Sequence, residues 1–495
     1  LDNYSVMHSL INISKRPPLN DTFFKEIKRF SFDQNIFLKK REIILKKNFF
    51  SPSKIKNPKK EKVFFDQYNK YLVDYSNIGN FKNKALFMSS GWDSTIILKL
   101  LIDKFGKNKV KPIIARLKFS KRTGIFNKFE IEKAKNICKK FKVKLTIIDV
   151  DYNKINEYLD YSKRVFATKM LTPTFAYFLH YRLIEEGFKK FGLCDFFSGE
   201  ISDGIHNFGF SQYLTLTDDK NNGYREYADK MMCYLFGPTF FNKIVDGTFK
   251  DDATYKFLKN KLRIKSINNI KGLKNIFNNI MQSMFAINQR FPLNNEISQF
   301  LVPEKKKKYL KKFNECYLDN LGFTESDQLY SSYIYLYKKF HWQGSTVRPA
   351  YHLANDYNCN FINLFLNKNT QELLSNMPEH YGRGLEMKPV KLPIKSYLKK
   401  KIDIDNLNIG PHSYISDIDT HTDPYFEIIY HSKMRLVIKK TFEKYNPIKI
   451  LDKNYFDKKY IKKILQDFNR MNNKVSAENI YSLFCICRFL KDIKF

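Results

Sequence analysis

The sequence predicts an α/β protein with a parallel sheet covered by helices on both faces, followed by a mostly helical C-terminal part. Three observations predict this fold. Short apolar runs alternate with amphipathic segments of helical length between residues 84 and 210. The connecting segments are long enough to cross the sheet and return in the same direction. Hydrophobic residues make up 43% of the 495-residue chain, which is ample for a large core.

The predicted strands and helices follow one another in a regular order. The first strand is a short apolar run, as expected for a strand with helices on both sides. Ile97, Leu98 and Leu101 form the apolar face of the helix that follows it. The predicted order is strand Ala85–Met88, helix Ser94–Phe105, strand Pro112–Leu117, helix Glu130–Phe141, strand Lys144–Val150, helix Thr174–Phe191 and strand Leu193–Phe197.

Changes of pattern divide the chain into four predicted regions. The first contains apolar residues between Phe23 and Phe32 that fall mostly at helical spacing, and a basic stretch interrupted by Pro52 and Pro58. The four regions are a helical lead-in and basic linker at 1–83, the α/β core at 84–210, a mostly helical insertion at 211–340 and a helical C-terminal part at 341–495.

Cysteine use and hydropathy exclude several classes of protein. The seven cysteines are scattered and form no C-x-x-C pair, so neither a disulfide framework nor a zinc site is indicated. No run approaches the roughly 18 apolar residues of a membrane span, and the first residues show no signal-peptide pattern. We therefore expect a cytoplasmic protein without a membrane span.

The chain is strongly basic, with 87 Lys and Arg against 50 Asp and Glu and a formal net charge of +37. Such an excess is typical of proteins that bind nucleic acid. Here lysine is spread along the whole chain and is frequent together with Asn, Ile, Phe and Tyr, as A- and T-rich codons produce. The composition therefore does not favour nucleic acid as the partner.

The first candidate site follows the first strand of the predicted sheet. Ser89, Ser90 and Gly91 are small enough to let an anion approach their backbone amides, and the helix behind them adds the positive end of its dipole. Asp93 and Ser94 are suited to cap that helix. The Asp93 carboxylate is also a hard oxygen ligand for a magnesium nucleotide. The other common phosphate-binding loops, G-x-x-x-x-G-K-S/T and G-x-G-x-x-G, are absent.

The second candidate site follows the strand Leu193–Phe197 and reads Ser-Gly-Glu-Ile-Ser-Asp-Gly. Glu200 and Asp203 are three residues apart, so a helical turn would let both carboxylates face one ligand. His180 and His206 are near this loop but show no metal-binding spacing, and we interpret both as structural.

The two loops carry a family resemblance over about residues 80–495. The first resembles the S-G-G-x-D-S loop of the PP-loop ATP pyrophosphatases, with Ser90 in place of the first glycine. The second resembles the G-E-G-x-D-E loop of asparagine synthetase and its relatives, with Gly204 in place of the last acidic residue. The resemblance implies a fold like that of the adenine nucleotide alpha hydrolases.

The resemblance also implies roles for particular residues. Lys391 begins the segment Lys391–Lys395, which looks like the family's K-x-x-x-R/K segment, and would be a catalytic cation together with the carboxylate of Glu200 at the acyl-transfer centre. By the same resemblance, ATP would bind to Ser89, Ser90, Gly91, Asp93, Ser94 and Thr95, and Mg²⁺ to Asp93 and Asp203.

One lysine of the family pattern is missing. Relatives commonly carry it roughly twenty residues beyond the K-x-x-x-R/K segment, and the corresponding stretch here has none. In those relatives the missing lysine steadies the charge that develops as the adenylate collapses. Either Lys391 or Lys388 supplies this charge as well as the cation of the acyl-transfer step, or His412 supplies it.

The activity that the resemblance implies is that of an ATP-dependent synthetase. It would adenylate a carboxylate, release pyrophosphate and transfer the acyl group to ammonia or an amine. The first cysteine, Cys138, lies inside the sheet, so no glutaminase half is recognised, and we expect nitrogen to come as ammonia, as an amine or from a separate glutaminase. Two alternatives stay open: a PP-loop ATPase that modifies an RNA base, and a degenerate nucleotide-binding partner subunit.

Overall fold

The computed structural model describes residues 2–11, 21–29, 34–40, 42–47, 52–54, 59–169, 175–210, 223–265, 267–287, 290–294, 296–342, 347–402, 407, 409–410, 424–470 and 474–492. The strands are β1 (Gln34–Lys39), β2 (Glu42–Lys47), β3 (Asn83–Phe87), β4 (Val110–Lys118), β5 (Thr146–Asp151), β6 (Cys194–Ser198) and β7 (Asn360–Asn363).

The helices begin with α1 (Asn3–Ile11), α2 (Glu61–Tyr75), α3 (Trp92–Phe105), α4 (Lys128–Lys140), α5 (Ile155–Lys169), α6 (Phe175–Phe191) and α7 (Ser202–His206). They continue with α8 (Gly223–Leu235), α9 (Pro238–Val245), α10 (Ala253–Lys261), α11 (Leu273–Phe285), α12 (Pro303–Tyr317), α13 (Leu329–Tyr337) and α14 (Val347–Asn355). The last are α15 (Lys368–Ser375), α16 (Leu392–Lys401), α17 (Pro424–Phe426), α18 (Met434–Lys444), α19 (Pro447–Ile450), α20 (Lys458–Arg470) and α21 (Lys474–Asp492).

Five parallel strands form the central sheet in the order β5-β4-β3-β6-β7. The chain runs outward from β3 to β5 and then returns to β6 on the other side of β3. Right-handed crossovers therefore place α3 and α4 on one face and α6 on the other. This confirms the predicted α/β fold with a mostly helical C-terminal part. Ligands of such sheets bind beyond the carboxyl ends of the strands, where the strand order reverses.

The predicted elements of the core agree closely with the structure. Each predicted strand and helix between 85 and 197 lies within two residues of the observed bounds. Ala85 and Leu86 of β3 are fully buried, which explains why this strand reads as a continuous apolar run. Helix α5 was not among the predicted elements. No helix in the described part of the chain has both the length and the hydropathy of a membrane span.

The fifth strand of the sheet, β7, comes from the C-terminal part, where the sequence predicts only helix. It has four residues, two of them Asn, which is too short for a periodicity to identify it. Its backbone pairs with β6, with Asp195 opposite Asn360. Tertiary pairing, rather than local propensity, makes this segment a strand.

The predicted helical lead-in and basic linker contains the helices α1 and α2, but the described part between them differs from the prediction. Residues 21–29 are not helical. The Thr22 hydroxyl donates a hydrogen bond to the Ile27 carbonyl at 2.8 Å, and the backbones of Asp21 and Lys28 form an isolated antiparallel β-bridge. Strands β1 and β2 form an antiparallel pair. Their Ile, Phe and Leu residues suit a pleated strand at least as well as a helix.

A buried ion pair fixes the amino-terminal edge of the sheet. Lys84 Nζ of β3 lies 2.5 Å from Asp195 Oδ2 of β6, and both side chains are nearly inaccessible. Asp195 also accepts hydrogen bonds from the Phe81 amide at 3.1 Å and from Asn360 Nδ2 at 2.7 Å. One carboxylate therefore joins three adjacent strands and sets their register. This edge is opposite the one that carries the candidate site.

Candidate active site

A cavity of about 280 Å³ lies at the carboxyl ends of β3, β4 and β6. The loop after β3 contributes Ser89, and the first turn of α3 contributes Asp93 and Ser94. The loop after β6 contributes Glu200, and α7 contributes Asp203. The structure therefore brings the two predicted loops to one cavity, as expected for the ends of neighbouring parallel strands.

The first loop folds back onto the start of α3. The Ser89 amide donates to Ser94 Oγ at 3.1 Å, and the Gly91 amide donates to Ser89 Oγ at 3.1 Å. Thr95 Oγ1 donates to the Gly91 carbonyl at 2.8 Å. Gly91 is the N-cap, so Asp93 and Ser94 do not cap this helix as predicted. Two of the amides assigned to an anion therefore already donate to hydroxyls within the loop.

Three charged groups meet where the two loops approach each other. Lys391 Nζ lies 2.6 Å from Asp93 Oδ2 and also contacts Asp203 Oδ1. Burial by itself would lower the pKa of Lys391, but the carboxylates of Asp203 and Asp93 outweigh it, so the pKa is raised. Lys391 is therefore a permanent cation between two carboxylates. It sits at the N-cap of α16 and does not line the cavity.

The second loop has a strained backbone. Ile201 has a φ of 82°, in the left-handed region that a β-branched residue rarely adopts. The family pattern has glycine at this position, which takes the same torsion without a Cβ. Lys391, with a φ of 57°, is also left-handed. One strained residue, Ile201, thus lies two residues before Asp203, and the other is Lys391 itself. Strained backbone of this kind is concentrated at functional sites.

Close packing explains two glycines of the second loop. A Cβ on Gly199 would lie 3.0 Å from Asp93 Cβ, so glycine lets the two loops touch. A Cβ on Gly204 would lie 2.1 Å from a ring carbon of Tyr337, which also lines the cavity. A side chain at position 204 therefore has no room, because the Tyr337 ring takes up that space.

Glu200 and His180 form the other end of the site. His180 Nε2 lies 3.6 Å from Glu200 Oε1, and both residues line the cavity. His180 is buried, and its Nδ1 has no hydrogen-bond partner among the described residues. The Glu200 carbonyl accepts a hydrogen bond from Asn363 Nδ2 of β7 at 2.8 Å. We interpreted His180 as structural from the sequence, whereas the structure places it in the cavity.

His206 does not reach the cavity. It is fully buried, and desolvation lowers its pKa to about 3 despite the bond to the Ser202 carbonyl. Its ring lies between Ser202 and Tyr68, and the Ser202 hydroxyl in turn donates to Asp93 Oδ1 at 2.6 Å. The sequence did not single out Tyr68 or Ser202, because their contacts join segments distant along the chain.

Only some of the site residues predicted from the sequence line the cavity. Ser90 is buried outside the cavity lining, and the Gly410 amide donates to its carbonyl at 3.3 Å. Lys388 is half-exposed and pairs with Glu386 at 3.8 Å, so it is not part of the charged cluster. His412 lies outside the described residues. The predicted residues that line the cavity are Ser89, Asp93, Ser94, Glu200 and Asp203. The predicted residues that do not line it are Ser90, Gly91, Thr95 and Lys391.

The two aspartates fit a magnesium ion. Asp93 Oδ2 and Asp203 Oδ1 both contact the Lys391 ammonium group, so the two carboxylates lie close together, and a magnesium ion bound by both would share them with that group. Nucleotide-bound Mg²⁺ commonly takes one or two carboxylates, with phosphate oxygens and water completing its coordination. Within the described ranges, no three His, Cys, Asp or Glu side chains form a metal site by themselves.

Comparisons with known proteins show no family for this chain. No protein-family model and no curated protein matches it. Among solved structures, it is similar to an NH3-dependent NAD synthetase from Campylobacter jejuni in complex with nitrate, with 13% identity and a TM-score of 0.21 over 41% of this chain and 81% of that chain.

A second similar structure is a U34-tRNA thiolase from Methanococcus maripaludis with its 4Fe-4S cluster. The identity is 14% and the TM-score 0.22, over 73% of this chain and 96% of that chain. At these values neither similarity carries an argument about what the chain binds or does.

Proposed function

We propose that the chain is an asparagine synthetase-like enzyme of the PP-loop type. It adenylates a carboxylate with ATP, releases pyrophosphate and transfers the acyl group to ammonia or an amine. The observation that carries the proposal is the cluster of Lys391 with Asp93 and Asp203, which joins two loops at the ends of adjacent parallel strands. Those loops are the ones that resemble the family.

The phosphates of ATP would lie against the first loop and the start of α3. There the hydroxyls of Ser89 and Ser94 and the helix dipole favour an anion, and phosphate oxygens would replace the bonds within the loop. Asp93 and Asp203 would hold a magnesium ion, which supplies charge neutralisation at the phosphates when bound. Lys391 adds a fixed positive charge where negative charge develops on the leaving group.

The other end of the cavity suits a nitrogen nucleophile. The described lining of the whole cavity contains four carboxylates and neither lysine nor arginine. Asp93 and Asp203 belong to the magnesium end, whereas Glu200 lies at this end, where its negative charge favours a cation such as ammonium. Bound ammonium would first give up a proton to become ammonia, whose lone pair would attack the acyl carbon while the bond from that carbon to the AMP oxygen breaks and its electrons leave with AMP. The attacking nitrogen would then lose a second proton, and Glu200 would accept one of these two protons and solvent the other. His180 stands beside Glu200 at 3.6 Å. The lining carboxylates are Asp93, Glu130, Glu200 and Asp203.

The second candidate is a PP-loop enzyme that modifies an RNA base, an activity that would give the net charge of +37 a role in binding. A degenerate nucleotide-binding subunit is the third candidate. No observation on the described residues supports a separate glutaminase.

The test is incubation of the chain with ATP, Mg²⁺ and a cell metabolite extract, followed by mass spectrometry. We expect AMP and pyrophosphate in equal amounts, together with a product heavier by one amide-linked nitrogen group. A Glu200→Gln variant should still make pyrophosphate but form the amide about 100-fold more slowly or worse.

Three results would favour other functions. ADP and phosphate as the only nucleotide products would contradict the proposal. AMP formation that requires added RNA, with RNA binding that weakens steeply as salt rises, would favour the RNA-modifying enzyme. ATP binding without any turnover would favour the degenerate subunit.

A further inference from the structure

A chain of buried hydrogen bonds leads from the lead-in to the charged cluster. Tyr68 of α2 has its hydroxyl 2.9 Å from His206 Nε2. His206 Nδ1 lies 2.8 Å from the Ser202 carbonyl oxygen, and Ser202 Oγ lies 2.6 Å from Asp93 Oδ1. Tyr68, His206 and Ser202 are all fully buried, so water does not compete for these bonds.

The direction of these bonds follows from the chemistry of the groups. A carbonyl oxygen can only accept, so the proton of His206 lies on Nδ1. Desolvation keeps the ring neutral, so Nε2 carries no proton and must accept from the Tyr68 hydroxyl. The Asp93 carboxylate also only accepts, so the Ser202 hydroxyl donates to it. Ser202 Oγ also lies 3.1 Å from His206 Nδ1, so the Nδ1 proton is shared between the carbonyl and the hydroxyl oxygen of Ser202, while that hydroxyl donates its own proton to Asp93.

The bond from Ser202 fixes one of the two oxygens of the Asp93 carboxylate, and Lys391 contacts the other. With Oδ1 held by Ser202, Oδ2 points to the position that it shares with Asp203, where Lys391 lies. Ser202 itself follows the strained Ile201, so its position needs support from elsewhere. His206 supplies that support, because its ring holds the Ser202 carbonyl one helical turn back.

Helix α2 is firmly attached to the rest of the site. Phe64 and Leu72 are buried beside Tyr68 on the inner face of α2. The helix packs against α15 and against α16, which begins next to Lys391. The Tyr381 hydroxyl donates to the Lys59 carbonyl just before α2 at 2.7 Å. The same helix thus supports both sides of the charged cluster.

We propose that Tyr68 and His206 are positioning residues that orient the Asp93 carboxylate through Ser202. This assigns to the lead-in a part in the site that the sequence did not indicate. The inference rests on the proposed function for the statement that Asp93 binds magnesium. Neither Tyr68 nor His206 is among the residues that line the cavity.

The first test compares Tyr68→Phe with Tyr71→Phe, which also loses one hydroxyl from α2, at a partly exposed position. Binding of an ATP analogue with a methylene group between the α and β phosphates is measured by calorimetry as Mg²⁺ is raised. Loss of an outer partner of a metal ligand typically weakens metal binding 10- to 100-fold. We expect a rise of about tenfold or more in the half-saturating Mg²⁺ concentration for Tyr68→Phe, and none for Tyr71→Phe.

Ser202→Ala breaks the same chain at the other end, and it serves if Tyr68→Phe does not fold. We expect a shift in Mg²⁺ dependence like that of Tyr68→Phe. The half-saturating Mg²⁺ concentration of the double variant should be no higher than that of the more strongly affected single variant, because both substitutions break the same hydrogen-bond chain. Fully additive effects, or unchanged Mg²⁺ dependence in both single variants, would overturn the inference.

A second readout needs neither nucleotide nor metal. Nitrogen NMR of protein with labelled histidine reports which ring nitrogen carries the proton, and the His206 signal is identified by its loss in His206→Gln. We expect Nδ1 protonation in the parent and a changed Nε2 signal in Tyr68→Phe. Protonation on Nε2 in the parent would overturn the inference. If the parent has Nδ1 protonated but binds no nucleotide, the hydrogen-bond chain is present and the proposed function is overturned.

Discussion

Lys391 Nζ lies 2.6 Å from Asp93 Oδ2, although the two residues are 298 positions apart in the sequence. Asp93 is in the first turn of α3 and Lys391 directly precedes α16, and these two helices pack against each other. The pair therefore connects the C-terminal helices to the first loop of the α/β core. The role of each charged group in the cluster can be tested by replacing one residue at a time.

Replacing Lys391 with Met removes the cation and keeps a chain of similar length. We expect amide formation to fall by about 100-fold or more, since a group that stabilises developing charge is lost, while nucleotide binding stays within a few-fold. Lys388→Met is the matched control, because Lys388 pairs with Glu386 outside the cluster. Product formation near the parent's rate in Lys391→Met would remove Lys391 from the site.

Asp93→Asn and Asp203→Asn each remove one charge from the proposed magnesium site. We expect each to lower turnover about 100-fold or more and to raise the Mg²⁺ concentration needed for nucleotide binding. Asp103→Asn, on the same helix as Asp93 but paired with Lys99 at the surface, should behave like the parent. Normal Mg²⁺ dependence in both variants would show that the ion binds elsewhere.

Gly204→Ala should destabilise the fold, although alanine is normally favoured over glycine in a helix by about 1 kcal/mol. The added Cβ meets the Tyr337 ring at 2.1 Å, and such overpacking typically costs about 1–3 kcal/mol. In a Tyr337→Ala background the same substitution should be stabilising. The four free energies of unfolding, from urea denaturation, test this reversal of sign. Equal effects of Gly204→Ala in both backgrounds would contradict the clash.

Ile201→Gly should cost less stability than Ile205→Gly. Both side chains are buried, so both variants lose similar packing. At Ile201 the loss is partly offset by relief of a left-handed torsion, which costs about 1–3 kcal/mol. At Ile205, inside α7, glycine adds a helix penalty of about 1 kcal/mol. Denaturation midpoints should therefore differ by an amount equivalent to about 2 kcal/mol or more, and equal losses would argue against strain at Ile201.

His206 should make the protein less stable in mild acid. In the folded state desolvation lowers its pKa to about 3, whereas the unfolded residue takes a proton near pH 6.5. The unfolded state therefore binds more protons between these values, and stability is lost as pH falls below about 6.5. From pH 7 to pH 5 this one group accounts for about 2 kcal/mol.

A His206→Gln variant checks that dependence. Its free energy of unfolding should fall less than the parent's between pH 7 and pH 5, by about the contribution of the one histidine. The same fall in both proteins would show that His206 is not held neutral.

Short-range patterns let the sequence by itself determine the α/β core and the two loops of the candidate site. Apolar runs and helical spacing depend on neighbours a few residues away, so the predicted bounds of β3 to β6 lie close to those observed. The loops could be recognised because small and acidic residues directly follow buried strands. Lys391 came only from the family resemblance.

Contacts between distant segments decided the rest. Strand β7 forms because β6 provides it with a pairing partner. Residues 21–29 have helical spacing of apolar residues but are not helical, since the Thr22 hydroxyl bonds to the backbone there. Gly204 is explained only by the ring of Tyr337, 133 positions away in the sequence, and Asp93 is oriented by a chain that ends at Tyr68. Such contacts leave no periodic trace in the sequence, because their energy depends on which side chains the completed fold brings together.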